Sequence, residues 1–379
     1  MQTLTNCTIL TVDGQDRFYE DGRLTVEDGR ITAVGRAEDL PLRGETVDLR
    51  GGLVLPGLIN THTHSHSSLF RNQADDLQLM DWLKKAMWPM EKFLSPERAY
   101  AATALSCLEY LRCGITTYAD QFYFADTIAK AAQRSGLRCF LAATVFTDPS
   151  PETADENRQI REQTGLSPTQ WLEELGVFEQ PVLAAHSIHL DEKDLDIYQR
   201  RGVHVTYNPV SNMKLASGIM PYREMRDRGI PVSLGTDGAQ SNNSMDLLRD
   251  LREGVLLQKV TARDARVLSA REAVRMVTIE GAKALRMERE LGSLECGKRA
   301  DLIVLDPRSP RLTPLHRWDL EHLYGAVTYA ACGPDVRDVM VDGRWLMQDR
   351  NILSFDEEEV LREGQRASAY LVEHAGFRR

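Results

Sequence analysis

No run of about eighteen apolar residues occurs in the chain, so no membrane-spanning helix is expected. The start, MQTLTNCTILTVDG, lacks a basic stretch followed by an apolar one, so it does not read as a secretory signal. Cysteine is scarce: six residues, at 7, 107, 113, 139, 296 and 332, with no C-x-x-C pair. That scatter argues against a disulfide framework or a cysteine zinc site and predicts reduced, mostly buried thiols in a cytoplasmic protein. Basic charge is also short. The 46 Lys plus Arg face 56 Asp plus Glu, a net charge of −10, whereas a general nucleic-acid binder shows clustered cations. Neither nucleic acid nor membrane is therefore expected as a partner. There are no repeats and no low-complexity segments. What is present is 42% hydrophobic and 27% charged, the balance of a packed protein rather than a disordered one. The 379 residues suit one large α/β barrel with an appended domain.

The two ends share a texture. TNCTILTV leads to Asp13-Gly14, RLTVE to Asp28-Gly29, and RITAVG follows; near the other end come ADLIVLD, DVMV, Asp342-Gly343 and RWLM. Asp-Gly between alternating apolar runs is a hairpin signal. Residues 1–55 and 292–352 are therefore expected to form one small composite β domain, a sandwich built from both termini, with 353–379 as a C-terminal helix on the outside. Residues 56–291 read differently. Nearly continuous apolar runs at 53–60, 115–120, 137–145, 182–188, 203–208 and 231–237 alternate with helices, as parallel βα units do. Ser95-Pro96-Glu97 opens one helix, which ends at Gly114. Ser269-x-x-Glu272 is a capping box that opens another, AVRMVTIEGAKAL.

The strongest chemical feature is GLINTHTHSH. His62 and His64 stand two apart where an apolar run ends, so at period two both point to one face. Paired imidazoles there suit a divalent metal, zinc most naturally, with iron and manganese as alternatives. His64 and His66 share the spacing, but the first pair lies nearer the strand, and His66 reads as a loop residue. Asp237 closes PVSLGTDG and His186 lies in VLAAHSIH. Alone, the first is a turn residue and the second a core histidine. Together, three strands each deliver a ligand-type residue at the C-terminal end, the face where barrels build active sites. His189 and His204 read as structural.

GLINTHTH, SLGTDG and GSLECGKRADLIVLD together resemble the amidohydrolase superfamily of metal-dependent hydrolases. NQADDLQLMDWLKKAMWPMEK, LAAHSIHLDE, YNPVSNMKLASG and LGTDGAQSNNSMDLL look like its branch of adenosine-type and methylthioadenosine/S-adenosylhomocysteine deaminases, alongside chlorotriazine hydrolases and guanine-type deaminases. The resemblance implies a (β/α)8-type barrel, one divalent metal and hydrolytic removal of ammonia from an aminated purine nucleoside or related heterocycle. It makes His62, His64 and Asp237 the metal ligands, and Asp237 also the acceptor of a proton from water. His186 would hold the attacked group and Glu91 would receive sugar hydroxyls. Trp82 would line the pocket, although as a residue it reads equally as a core aromatic.

One departure stands against these matches. The family pattern has a histidine after strand 4 and a His-Leu-x-Glu-Thr block after strand 5, and this chain has neither. Between LRCFLAATV and VLAAHSI lie only residues 146–181, without a histidine or an apolar strand, where two βα units need roughly 60 residues. Glu152 mimics the missing glutamate, but SPETADEN also fits the stretch after strand 3. Ala143 stands near the place of the family's sugar-side arginine. Six strands are recognisable, so the barrel is expected to be open unless the 146–181 helices or a partner chain cover the gap; a homo-oligomer belongs to that second case. A metal-dependent hydrolase and a catalytically impaired barrel that only binds a small molecule are the two competing expectations.

Overall fold

The computed structural model describes residues 1–73, 75–143 and 162–376. Four strands open the chain: β1 (Gln2–Leu10), β2 (Phe18–Glu27), β3 (Arg30–Arg36) and β4 (Glu45–Pro56). The middle holds β5 (Leu58–His64), β6 (Ile115–Phe122), β7 (Arg138–Ala143), β8 (Leu183–Ala185), β9 (His204–Tyr207), β10 (Val232–Leu234) and β11 (Asp237–Gly238). Then come β12 (Leu302–Leu305), β13 (Val336–Val341), β14 (Arg344–Gln348) and β15 (Asn351–Ile352).

The outer strands join in one sheet in the order β15-β14-β13-β12-β4-β1-β2-β3. The expected sandwich is thus a single sheet folded over on itself. Its Asp28-Gly29 turn meets the Asp342-Gly343 turn so closely that a Cβ on Gly29, which has φ +79°, would come 3.0 Å from the Asp342 carbonyl oxygen. Leu4, Ile9, Leu24, Ile31, Val54, Leu302 and Met340 form its own buried core.

The middle strands are parallel, as nearly continuous apolar runs separated by helices require. β7, β6, β5 and β11 make one sheet, and β8, β9 and β10 a second. β10 runs into β11 through Gly235 and Thr236, so six strand positions follow one another around the barrel. β7 and β8 pair with no further strand among the described residues.

Several sequence expectations need correction. The run 53–60 is not one strand. It breaks at Gly57, with β4 turning into the outer sheet and β5 into the barrel, because an apolar run says nothing about which sheet it joins. The run 182–188 shortens to Leu183–Ala185, and those residues are half-buried rather than buried. An edge strand lacks the neighbour that would cover it. His186 therefore follows its strand instead of closing it. The run 231–237 divides into β10 and β11. AVRMVTIEGAKAL is two helices, Ala270–Met276 and Ile279–Ala284, parted at Thr278. The second lies flat on β5: a Cβ on Gly281 would sit 2.9 Å from the Ile59 Cβ.

Other helix signals act as read. Pro96–Arg112 starts from the Ser95 cap and ends before Gly114 at φ +79°. The Ser269 hydroxyl and the Glu272 carboxylate cap each other's backbone. Ser269→Ala should lower stability by about 1 kcal/mol, read as a lower denaturant midpoint at unchanged slope; an unmoved midpoint would make that box idle. The last helix, Glu357–His374, packs Leu371 against Phe70, Trp82, Met87 and Met90. Among the described residues no helix is long and apolar enough to cross a membrane.

Candidate metal centre

β11 runs parallel to β5, with Asp237 opposite Thr63. His62 and His64 flank Thr63 and, at period two, share the face that Thr63 does not. Their Nε2 atoms lie 3.3 and 3.2 Å from Asp237 Oδ1. One ligand atom from each of the three residues falls within 4.8 Å of the others. His62 Nε2 is buried without a hydrogen-bond partner. His64 Nδ1 faces the Gln121 carbonyl oxygen at 3.3 Å. A carbonyl only accepts, so Nδ1 carries a hydrogen and Nε2 is the nitrogen turned to Asp237.

The two oxygens of Asp237 have different surroundings. Oδ1 faces the imidazoles, while Oδ2 accepts hydrogens from Ser211 at 2.6 Å and Ser241 at 2.8 Å. The Asp237 backbone is left-handed, φ 59°, a conformation that costs an L-residue about 1–2 kcal/mol. Hydrogen bonds hold it there. Asn60 accepts from the Thr236 amide at 3.1 Å and donates to the Thr236 hydroxyl at 2.8 Å, while Thr63 donates to the Asp237 carbonyl at 2.9 Å.

The two imidazoles are driven in opposite directions. Burial lowers the pKa of His62 to about 4, against the pull of Asp237 and with His64 and His186 adding to the drop. His64 suffers the same burial, but Asp237 and Asp120 outweigh it and raise the pKa to about 9. Burial also works against the Asp237 charge, yet the adjacent imidazoles of His62 and His64, with His186 beyond them, hold the carboxyl well below the usual range.

His186 stands beside this group in a left-handed backbone, φ 64°. Its amide donates to the Thr206 carbonyl at 3.0 Å and to Asn208 Oδ1 at 3.3 Å. Its Nδ1 donates to Asn212 Oδ1 at 2.8 Å, leaving Nε2 bare, 4.0 Å from Asp237 Oδ2. Glu91 lies within reach of the same field: burial pushes its carboxyl up and His64 pulls it back. Trp82 is buried in the apolar cluster with Phe70, Met87 and Met90, its indole N–H without a partner. His66 is not in a loop. It sits in the short helix Ser65–Phe70, buried, its ring stacked 3.2 Å from that of Phe122. His204 is buried on β9 and His189 is exposed on a loop. Glu152 lies outside the described residues, as does the side chain of Ala143.

The profile of the amidohydrolase family matches residues 53–165 and 151–346. The chain belongs to the amidohydrolase family. A 5'-deoxyadenosine deaminase of Methanosarcina mazei is 36% identical to it over 431 aligned positions, covering 97% of this chain and 98% of the relative. A 5-methylthioadenosine/S-adenosylhomocysteine deaminase of Pelotomaculum thermopropionicum is also 36% identical, with the same coverage. The crystal structure of an adenosine deaminase from Xanthomonas campestris, with bound zinc, superposes with a TM-score of 0.91 at 27% identity over 98% of each chain. An alignment of 431 positions exceeds the 379 residues available, so the relative holds internal sequence opposite gaps in this amidohydrolase. The family profile breaks at 151–165, inside the short stretch between β7 and β8.

Sequence reading missed Ser211, Asn212 and Ser241, although YNPVSNMKLASG and LGTDGAQSNN contain them. Their signal is small polar residues directly after strand ends. Which of them reach Asp237 and His186 depends on loops meeting across the barrel mouth.

Proposed function

We propose that this amidohydrolase, a hydrolase of carbon–nitrogen bonds, deaminates a 6-aminopurine nucleoside with one divalent metal held by His62, His64 and Asp237. The observation that carries the reading is the convergence of two imidazole nitrogens on one carboxylate oxygen at the ends of neighbouring strands. The fit is chemical: two neutral nitrogens and one carboxylate are a zinc donor set that leaves a coordination position open. The buried Nε2 of His62, 3.3 Å from Asp237 Oδ1, is placed to share a cation with that oxygen. Zinc is the first choice of metal, supported by the bound zinc of the Xanthomonas campestris adenosine deaminase; iron and manganese suit the same donors. When bound, the metal supplies Lewis acidity to the attacking water.

The rest falls to the chain's own side chains. Asp237 takes the proton of the water that adds to the ring carbon, and Ser211 and Ser241 keep its carboxylate turned. The carbon–oxygen bond forms first; the proton held by Asp237 then passes to the amino nitrogen, the carbon–nitrogen bond breaks, and the nitrogen leaves as ammonia. His186, fixed by Asn212 with Nε2 toward Asp237, steadies the charge that develops at the attacked group. Glu91 accepts hydrogens from the sugar hydroxyls. The names of the relatives, both deaminases of adenosine derivatives, support the substrate class. In this reading residues 56–291 are the catalytic barrel, 1–55 with 292–352 the β domain, and 353–379 a helical tail.

Glu91→Gln tests the substrate assignment. Hydrogen bonds to a charged acceptor are worth about 1.5–3 kcal/mol, so KM for a nucleoside should rise about tenfold or more while KM for the free base stays put. Equal losses on both would make Glu91 structural. Release of ammonia from adenosine, 5'-deoxyadenosine and methylthioadenosine tests the reaction itself, and zinc-loaded protein inert toward every aminated purine would overturn it.

A further inference from the structure

The chain leaving Asp237 runs into the helix Leu247–Ala262, which carries a buried acid with no part in the chemistry above. Asp250 is fully buried on that helix. Its Oδ2 accepts a hydrogen from Asn242 Nδ2 at 2.6 Å, and the same amide nitrogen donates to the carbonyl oxygen of Thr236 at 2.8 Å. Both hydrogens of that nitrogen are therefore used. Two oxygens are left over: Asp250 Oδ1 and Asn242 Oδ1 are buried acceptors without a hydrogen-bond donor. They are the second arms of an acid and an amide already joined through their first arms.

An ionised carboxylate would leave both acceptors stranded, and buried acceptors are rarely left so. One proton resolves both. Carried on Asp250 Oδ1, it turns that oxygen into a donor and meets Asn242 Oδ1, closing a ring of two hydrogen bonds between acid and amide. We infer that Asp250 is a neutral acid paired reciprocally with Asn242, and that the pair is a positioning device for Asp237.

The positioning step follows from which carbonyl Asn242 holds. The Thr236 carbonyl belongs to the peptide that joins Thr236 to Asp237, and rotation of that peptide about the next bond is the φ of Asp237. At 59° this φ lies in the left-handed region, which an aspartate tolerates better than most residues but still at a cost. An amide with both hydrogens committed, and its oxygen tied back to Asp250, has one orientation only. It keeps the peptide plane turned and the carboxylate of Asp237 aimed at His62 and His64. The charges around Asp250 agree with a neutral acid. Burial is the largest influence and raises its pKa well above the carboxylate range. The hydrogen bond from Asn242 and the charge of Arg249 lower it, while Asp246 and Glu253 push it further up.

The device rests on the proposed role of Asp237 as a metal ligand, so the test has two separate readouts. The first is the infrared difference spectrum of the full chain against Asp250→Asn at neutral pH. The wild type should show a protonated-carboxyl C=O band that the variant lacks; other buried acids are common to both and cancel. The second is zinc affinity by chelator competition. Asp250→Asn should keep the wild-type affinity, because an amide at 250 both donates to and accepts from Asn242. Asn242→Leu should weaken zinc roughly tenfold to a hundredfold, the usual cost of losing a partner behind a ligand. Absence of the band would overturn the neutral pair, and undiminished zinc affinity in Asn242→Leu would overturn the positioning role. Failure of the wild type itself to bind zinc would overturn the metal reading and the positioning with it, while the band still decides the pair.

Discussion

Alanine at both His62 and His64 is expected to leave a folded protein from which zinc is lost and ammonia release is undetectable. The two residues supply two of the three proposed donors, and a lone carboxylate in water holds a divalent cation weakly. Altering a group behind a ligand already costs roughly 10–100-fold in affinity, so removal of two direct ligands should exceed that by orders of magnitude. The fold should survive because β5 is fixed by its other residues. Thr61 donates to the Leu234 carbonyl at 3.0 Å and Thr63 to that of Asp237 at 2.9 Å, and neither bond involves an imidazole. Metal content after dialysis, measured with the melting temperature, checks this. Undiminished metal in a folded double variant would sink the site.

Turnover well below that of a complete relative is the second large effect expected. Positioned acid–base groups contribute about 10²–10⁴-fold, and the family's strand-5 block, with its histidine and glutamate, has no counterpart in this sequence. Among the described residues the cluster of metal-type donors stops at His62, His64 and Asp237. Among the described residues β7 and β8 also pair with no strand that would complete the barrel wall. Side-by-side kcat with the Methanosarcina mazei deaminase on 5'-deoxyadenosine measures the gap. Inserting a strand with the His-Leu-x-Glu-Thr pattern between β7 and β8 should narrow it. Native kcat equal to that of the relative, with metal bound, would mean that His186 and another acid do the work.

What could be read in the sequence was local. The period-two spacing of His62 and His64 announced a shared face, and Asp237 and the caps at Ser95 and Ser269 lay where strand and helix ends require them. What escaped depended on contacts between distant segments. Gly57 divides one apolar run between two sheets, and nothing in LVLPGLIN distinguishes that from a single strand. The backbone of His186 turns left-handed because Thr206 and Asn208, twenty and twenty-two residues on by the numbering, hold its amide. Ser211 reaches Asp237 only after β9 and β11 lie in the same barrel.

The outer sheet has a consequence for how the protein is made. β4 leaves the ribosome early, yet its edge partner β12 lies near the far end, with Leu53 facing Leu305 and Val54 facing Val304. At about 5–20 residues per second, translation keeps that edge waiting for roughly ten seconds or more. During that time β4 offers unpaired N–H and C=O groups to any passing strand. Nascent chains stopped before residue 302 should therefore need a chaperone to stay soluble, and chains released beyond 352 should not.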